Sequence, residues 1–434
     1  MVRLASAARG RVLFGAGLAV LGFGALLWVG STRASSPREA TRFRVAALAS
    51  AAPSAGTETP APSEAARAPG AEDARVALGR KMFFDPKLSV PEGTSCATCH
   101  DPAHGYAGGG VATNGVAHGS APGRFARRTT PSALYLRFVP RFHLEWEEEA
   151  ELPEAFGGFF WDGRASTVAT VAPQPLLNPN EMGNASPREL AVKLRASAYA
   201  SELRAEFDHV FDSPENAVEA LGFCIEAFLI SPEMAPFSSK YDDYLRGKAQ
   251  LSPLEAKGLA LFDDRNQAAC SSCHKFDRAS HLPEASLFTD YGYDTVAVPR
   301  NRLLAQNGDP RQFDLGVCER RDPKLHTEDP WYCGAFRTPS LRNVAARTSF
   351  MHNGVFSNLR DVVSFYATRG SDPKRWYPSG KVDDLPEKYQ KYVNTSAAPY
   401  NRVPGDPPVL AETEIDAIVA FLGTLTDRGY PHAP

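Results

Sequence analysis

Two short runs carry the most specific chemistry in the chain, "CATCH" at Cys96–His100 and "CSSCH" at Cys270–His274. In C-x-x-C-H the two thiols add across porphyrin vinyl groups, and the histidine that follows turns back to ligate the iron. A redox dithiol of the thioredoxin kind wants a βαβ setting, which neither run has. A zinc site would draw four ligands from paired knuckles and leave each adjoining histidine without a task. One such run is a moderate signal. Two predict two covalent c-type haems, with Cys96, Cys99, Cys270 and Cys273 as attachment points and His100 and His274 as iron ligands.

The surroundings of the two runs repeat. "ALGRKMFFD" stands before the first, with Gly79 and Phe83, and "AKGLALFDD" before the second, with Gly258 and Phe262. After the first come "RTTPSAL" (Arg128–Leu134) and "FFWDGRASTV" (Phe159–Val168), and after the second "RTPSL" (Arg337–Leu341) and "FMHNGVFSNL" (Phe350–Leu359). Each half closes on a helical pattern, Glu215–Leu229 and Glu412–Leu425. In the latter, Ile415, Ile418, Val419, Leu422 and Leu425 share one face. Between the halves, Ser252, Pro253 and Glu255 supply an N-cap, an N1 proline and a capping-box acid. Two cytochrome-c-like helical domains in tandem follow, over residues 72–248 and 249–434. The repeat sets Trp161 opposite His352 and Gly163 opposite Gly354, so equivalent places hold different functional side chains. That asymmetry predicts different tasks for the two haems.

What lies outside the halves fixes the compartment. Arg3, Arg9 and Arg11 precede the apolar run Val12–Gly30, so residues 1–32 read as an export signal or a membrane anchor. Residues 33–71, rich in Ala, Pro, Ser and Thr, cannot bury a core and read as a disordered tether. The expected location is the periplasm. A net charge of −3 offers no basic face for nucleic acid. Of the seven cysteines, Cys318 and Cys333 flank a charged insert and are expected to pair in an oxidising compartment, while Cys224 lies on an apolar helix as a buried thiol. Leu359, Val362, Val363 and Tyr366 recur at helical spacing, which alone makes Tyr366 a core aromatic.

Together the paired haem motifs, "FFWDGRAS", "LLNPNEMG", "FRTPSLRNVA" and "FMHNGVFSNL" resemble the bacterial dihaem cytochrome c peroxidase and MauG superfamily from about Arg75 to Thr426. The resemblance implies a mostly α fold of two haem domains with a calcium ion between them, and a first haem open to hydrogen peroxide opposite His100. The family's distal glutamate stands 20 residues after the W-D-G-R tryptophan. From Trp161 that is Glu181, the implied acid–base group for peroxide cleavage, with Trp161 relaying electrons between the haems. Fourteen residues after His352, where the peroxidases place a methionine ligand to the second iron, stands Tyr366, as in the MauG-like branch. A thioether favours Fe(II), whereas a tyrosine oxygen favours Fe(III) and brings Fe(IV) within reach. The implied enzyme is a dihaem peroxidase-type oxidoreductase that uses peroxide to reach a bis-Fe(IV)-type state and oxidises a Trp or Tyr of a partner protein.

Downstream, "FDLGVCERRDPKLHTEDPWYCGAFRTPSLRNVA" and "FYATRGSDPKRWYP" are similar to MbnH-like proteins, which oxidise a Trp of the exported partner MbnP to kynurenine and so build a copper site. Surface aromatics such as Trp331 and Trp376 would then carry holes outward. The alternative is a cytochrome c peroxidase that draws electrons from a small cytochrome or copper protein. The chain departs from the family pattern in places. Val171 stands where a distal Gln is common, with Gln174 nearby. Thr129 replaces an Asn that binds calcium, whose other implied ligands are carbonyls near Arg347 and Ser349. The acidic insert Phe142–Phe156 reads as a solvated loop or a docking surface.

Overall fold

Helix Ala71–Phe83 crosses helix Pro214–Leu229, and helix Pro253–Asp263 crosses helix Glu412–Gly423. Glycine decides both crossings. A Cβ on Gly79 would lie 1.9 Å from the Cys224 carbonyl oxygen, and one on Gly258 would lie 1.9 Å from that of Ala417. Only a residue without a side chain lets the backbones approach this closely. A phenylalanine pair locks each crossing beside its glycine. Phe83 and Phe228 have ring centroids 5.4 Å apart, Phe262 and Phe421 5.3 Å, both edge to face. The helix starts follow the local signals: Ser213 accepts from the Asn216 N–H ahead of Pro214, and Ser252 and Glu255 close the expected capping box ahead of Pro253.

These features belong to a computed structural model of the protein, which describes residues 71–108, 114–146, 153–320 and 329–430. The expected export segment, and the tether apart from Ala71, lie outside the described residues. Among the described residues no helix is long and apolar enough to cross a membrane.

Two apolar cores form. One draws on residues from Leu78 to Phe237, the other on residues from Tyr241 to Leu425. Helix Lys240–Leu245 sides with the second: Tyr241 packs edge-on against Phe288 and Phe421, and Asp242 pairs with Arg342 in full burial at 2.9 Å. The cores therefore change over just ahead of the linker "RGKAQLSPLEAKG". Across the junction the Tyr135 hydroxyl donates to Asp427 (2.5 Å), which also accepts from Asn343 (2.8 Å).

Helical content is moderate, so "mostly α" overstates it. Much of the chain between helices runs in turns, 3-10 segments and two short ribbons, as its 35 prolines and 34 glycines favour. His143–Glu145 pairs antiparallel with Glu154–Phe156, and Tyr293–Asp294 with Phe336–Arg337. The first ribbon is the described part of the acidic insert, and it is more than a solvated loop. Its Phe142 and Ala155 pack against Val317, Tyr332 and Ala335, and the Tyr332 hydroxyl donates to the Pro153 carbonyl (2.7 Å). Cys318 and Cys333 form the expected disulfide in this region, with Cα atoms 4.7 Å apart. Cys224 is a buried free thiol, as its helix face required.

Candidate dihaem active site

Both haem motifs fold the same way. Cys96–Cys99 is a single helical turn and Cys270–Ser272 a 3-10 turn. The N–H groups of His100 and His274 donate back to Cys96 (2.8 Å) and Cys270 (2.9 Å), which turns each imidazole toward its cysteine pair. Nδ1 of His100 lies 3.1 Å from the Tyr106 carbonyl, and Nδ1 of His274 3.0 Å from that of Phe288. Such a carbonyl fixes the tautomer, with Nδ1 protonated and Nε2 free for a metal. Tyr106 and Phe288, both at positive φ (53° and 56°), aim those carbonyls. Burial lowers the His100 pKa to about 4 and lowers that of His274, so both rings stay neutral.

The second motif opens into a cavity of about 260 Å³ whose wall includes Cys270, Cys273, His274, Tyr366, Tyr400 and Arg337, with Trp161 and Tyr135 reaching in from the first half. Tyr366 sits on helix Leu359–Thr368, which starts where Asn358 accepts from the Asp361 N–H. Its ring lies 5.8 Å from that of Tyr400, and burial pushes its phenol well above the usual range. Arg337 has Nε and Nη1 buried without a partner. Two thiols, an imidazole, a phenol and an unpaired guanidinium around an apolar hollow fit a haem. Cys270 and Cys273 would hold its vinyl groups, His274 would hold its iron, and Arg337 would offset its carboxylates.

Glu181 stands in the turn after "NP", where Asn178 Nδ2 donates to its carboxylate (2.8 Å). Its charge reaches Cys99, which places it beside the first haem motif. Burial raises its pKa, against the opposing pull of Arg164 and the Asn178 bond. Arg164 is in turn held by Gln174 (3.1 Å) and Asp162 (3.0 Å). Gln174 thus acts on Glu181 through Arg164, while Val171 offers nothing polar.

Thr129 joins the halves. Its carbonyl accepts from Trp161 Nε1 (2.8 Å), its N–H donates to the His352 carbonyl (2.8 Å), and its hydroxyl donates to the Met351 carbonyl (2.7 Å). His352, the repeat partner of Trp161, stacks on Phe336 at 3.6 Å and lines the same cavity. Of the residues expected at calcium, Thr129, Arg347 and Ser349, Arg347 turns its side chain onto the neighbourhood of the other two: Nε donates to the Ser349 carbonyl (3.3 Å) and Nη2 to the Thr130 carbonyl (3.1 Å). Trp331 and Trp376, expected at the surface, are only partly exposed, Trp376 with Nε1 bonded to Thr368 (2.9 Å), whereas Trp146 is exposed.

Comparison with known proteins decides the family. The model of the di-haem cytochrome c peroxidase family matches residues 73–250. Methylamine utilization protein MauG of Paracoccus denitrificans is 37% identical over 391 residues, covering 86% of this chain and 93% of that protein. The chain belongs to the dihaem cytochrome c peroxidase and MauG family. A crystal structure of a tyrosine-to-methionine variant of the diheme peroxidase BthA from Burkholderia thailandensis superposes with a TM-score of 0.80 at 47% identity, covering 82% of this chain and 87% of that one. A MauG-like protein associated with microbial copper homeostasis shares the fold at a TM-score of 0.58 and 24% identity, covering 82% and 90%. The protein is therefore a dihaem peroxidase-type oxidoreductase acting on peroxide.

Sequence reasoning missed three groups. Arg337 was legible only as part of "RTPSL", and nothing in its type announced an unpaired guanidinium. Tyr400 carries no motif at all. Arg128, buried between Asp162 (2.6 Å) and Asp314 (2.7 Å), ties both halves to the W-D-G-R loop. Burial alone would raise the Asp314 carboxyl, but the Arg128 guanidinium outweighs it and holds that carboxyl below the usual range.

Proposed function

We propose that this chain is a MauG-like oxidase of a partner protein, acting in the periplasm. The observation that carries the proposal is the pairing of unlike groups. A half-buried carboxyl, Glu181, interacts with Cys99 of the first haem motif, and a half-buried phenol, Tyr366, lines the cavity of the second. On this reading Cys96, Cys99, Cys270 and Cys273 bind two haems as thioethers, His100 and His274 ligate their irons, and Tyr366 is the second ligand of the C-terminal one. The bound haems supply the two-electron reduction of peroxide. Glu181, deprotonated, takes the proton of incoming peroxide and returns it to the leaving oxygen as water. Its burial keeps that proton off solvent. Tyr366 keeps its side of the cavity dry and gives the C-terminal iron a hard oxygen donor. Trp161, pinned by the Thr129 carbonyl, lies in van der Waals surroundings that link the halves, and it relays electrons. The electrons come from a Trp or Tyr of an exported partner. The similarity to a MauG-like protein associated with copper homeostasis supports a copper-handling partner whose Trp becomes kynurenine.

The test is to incubate holoprotein with peroxide and the product of an adjacent exported-protein gene, then weigh that product. Gain of oxygen followed by loss of one carbon as formate marks kynurenine. The second reading, a peroxidase fed by a small cytochrome or copper protein, is favoured by the 47% identity to the diheme peroxidase BthA. Rapid peroxide turnover with reduced small cytochrome and an unmodified candidate partner would establish it instead. Calcium is no part of either reading.

A further inference from the structure

We propose that a guanidinium replaces a divalent ion at the junction of the two halves, so that the protein neither binds nor needs calcium there. The cation is Arg347. It stands in the second half, after the 3-10 turn Val344–Ala346, and donates through Nη2 to the carbonyl of Thr130 in the first half (3.1 Å). Through Nε it donates to the Ser349 carbonyl in its own half (3.3 Å). One side chain thus holds a carbonyl from each half, which is the task a bridging metal performs.

Both oxygens of Thr129 are already engaged in hydrogen bonds. The Thr129 carbonyl accepts from Trp161, and the Thr129 hydroxyl is a donor to Met351. Among the described residues Arg347 forms no ion pair, and no three His, Cys, Asp or Glu side chains gather as a metal site. Calcium is a hard cation that collects oxygen ligands and tolerates no positive neighbour in its first layer. A guanidinium bonded to the Ser349 carbonyl, which calcium would use, opposes its binding. Burial lowers the pKa of Arg347 to about 10, which leaves it charged at neutral pH. Its charge also reaches His100, and its side chain lines the cavity that holds His274 and Tyr366. A fixed cation at that point faces both haem motifs. The counter-charge it lacks from protein would come from haem carboxylates bound in that cavity, which a doubly charged ion would otherwise offset. A guanidinium cannot be stripped by a chelator, so the junction becomes independent of the metal supply.

This inference does not depend on Tyr366 being an iron ligand. The test is metal analysis of the holoprotein after dialysis against a chelator, with the haem absorption spectrum and the unfolding temperature recorded before and after calcium is added back. The expected result is iron without stoichiometric calcium, and no shift in spectrum or unfolding temperature on either treatment. One calcium per chain surviving dialysis, or a chelator-induced spectral change that calcium reverses, overturns the proposal. A second arm uses Arg347→Met, which keeps the bulk and removes the charge. It should unfold at a lower temperature than the parent. An unfolding temperature equal to that of the parent would show that the guanidinium does not hold the junction. If the variant fails to fold, metal analysis of the wild type decides alone.

Discussion

The two halves repeat their scaffold closely and diverge where chemistry happens. Their helix crossings agree to 0.1 Å in phenylalanine spacing, and their imidazoles find carbonyls at 3.1 and 3.0 Å. Yet the first half sets a carboxyl, Glu181, beside its motif, and the second sets a phenol, Tyr366, in its cavity. The repeat likewise puts Trp161 in one half and His352 in the other, and Thr129 bonds to both. A fold that needs glycine at a helix crossing tolerates little change there. The loops beside the motifs keep glycines of their own, Gly163 at φ 67° and Gly354 at φ 70°, but the side chains next to them, Trp161 and His352, differ, so a duplicated module can keep its frame while its two sites part.

The sharpest way to break this contrast is Glu181→Gln. Loss of a placed acid–base group costs about 10²–10⁴-fold in rate. Peroxide consumption should fall by that much in stopped-flow, with both haems still bound. Glu181 acts as the carboxylate, and burial raises its pKa. As pH falls, the wild-type rate should therefore drop at higher pH than an exposed glutamate would dictate, and the variant should lack that limb. An unchanged rate with an unchanged pH profile would remove Glu181 from the reaction.

The scaffold half of the comparison is tested by Gly79→Ala and Gly258→Ala. Each forces a Cβ onto a backbone carbonyl, and overpacking of this kind costs about 1–3 kcal/mol. Thermal unfolding followed in the haem bands should show each substitution loosening its own half first. Equal losses in both halves from either change would mean that the halves unfold as one body, and the modular account would fail.

The sequence announced the frame and half of the chemistry. The paired C-x-x-C-H runs, Gly79 with Gly258, and the cap at Ser252 are local signals, and local signals survive folding. The Cys318–Cys333 disulfide was legible from compartment and spacing. Glu181 and Tyr366 were legible only by their distance from motifs, because a lone Glu after "NP" and a lone Tyr at helical spacing look like surface and core. The roles of Arg337, Arg347 and Tyr400 were not legible. Their meaning lies in what the fold leaves beside them, a missing partner or a captured carbonyl, and these depend on segments far apart in the chain. The calcium expectation counted backbone positions and could not see the side chain of Arg347 turning onto the Ser349 carbonyl. Trp331 and Trp376 are more covered than a surface position implies, since the disulfide-linked insert and the second core pack on them in part.

The central claim is that the second haem differs from the first through the oxygen of Tyr366. Resonance Raman spectra of the resting ferric protein, excited in a phenolate-to-iron charge-transfer band and compared with those of Tyr366→Phe, test it most directly. The account predicts tyrosinate ring modes in the wild type that vanish in the variant, with the haem content of both proteins unchanged. Identical spectra from the two proteins would make Tyr366 a core aromatic, as its helical spacing alone suggests, and would contradict the account.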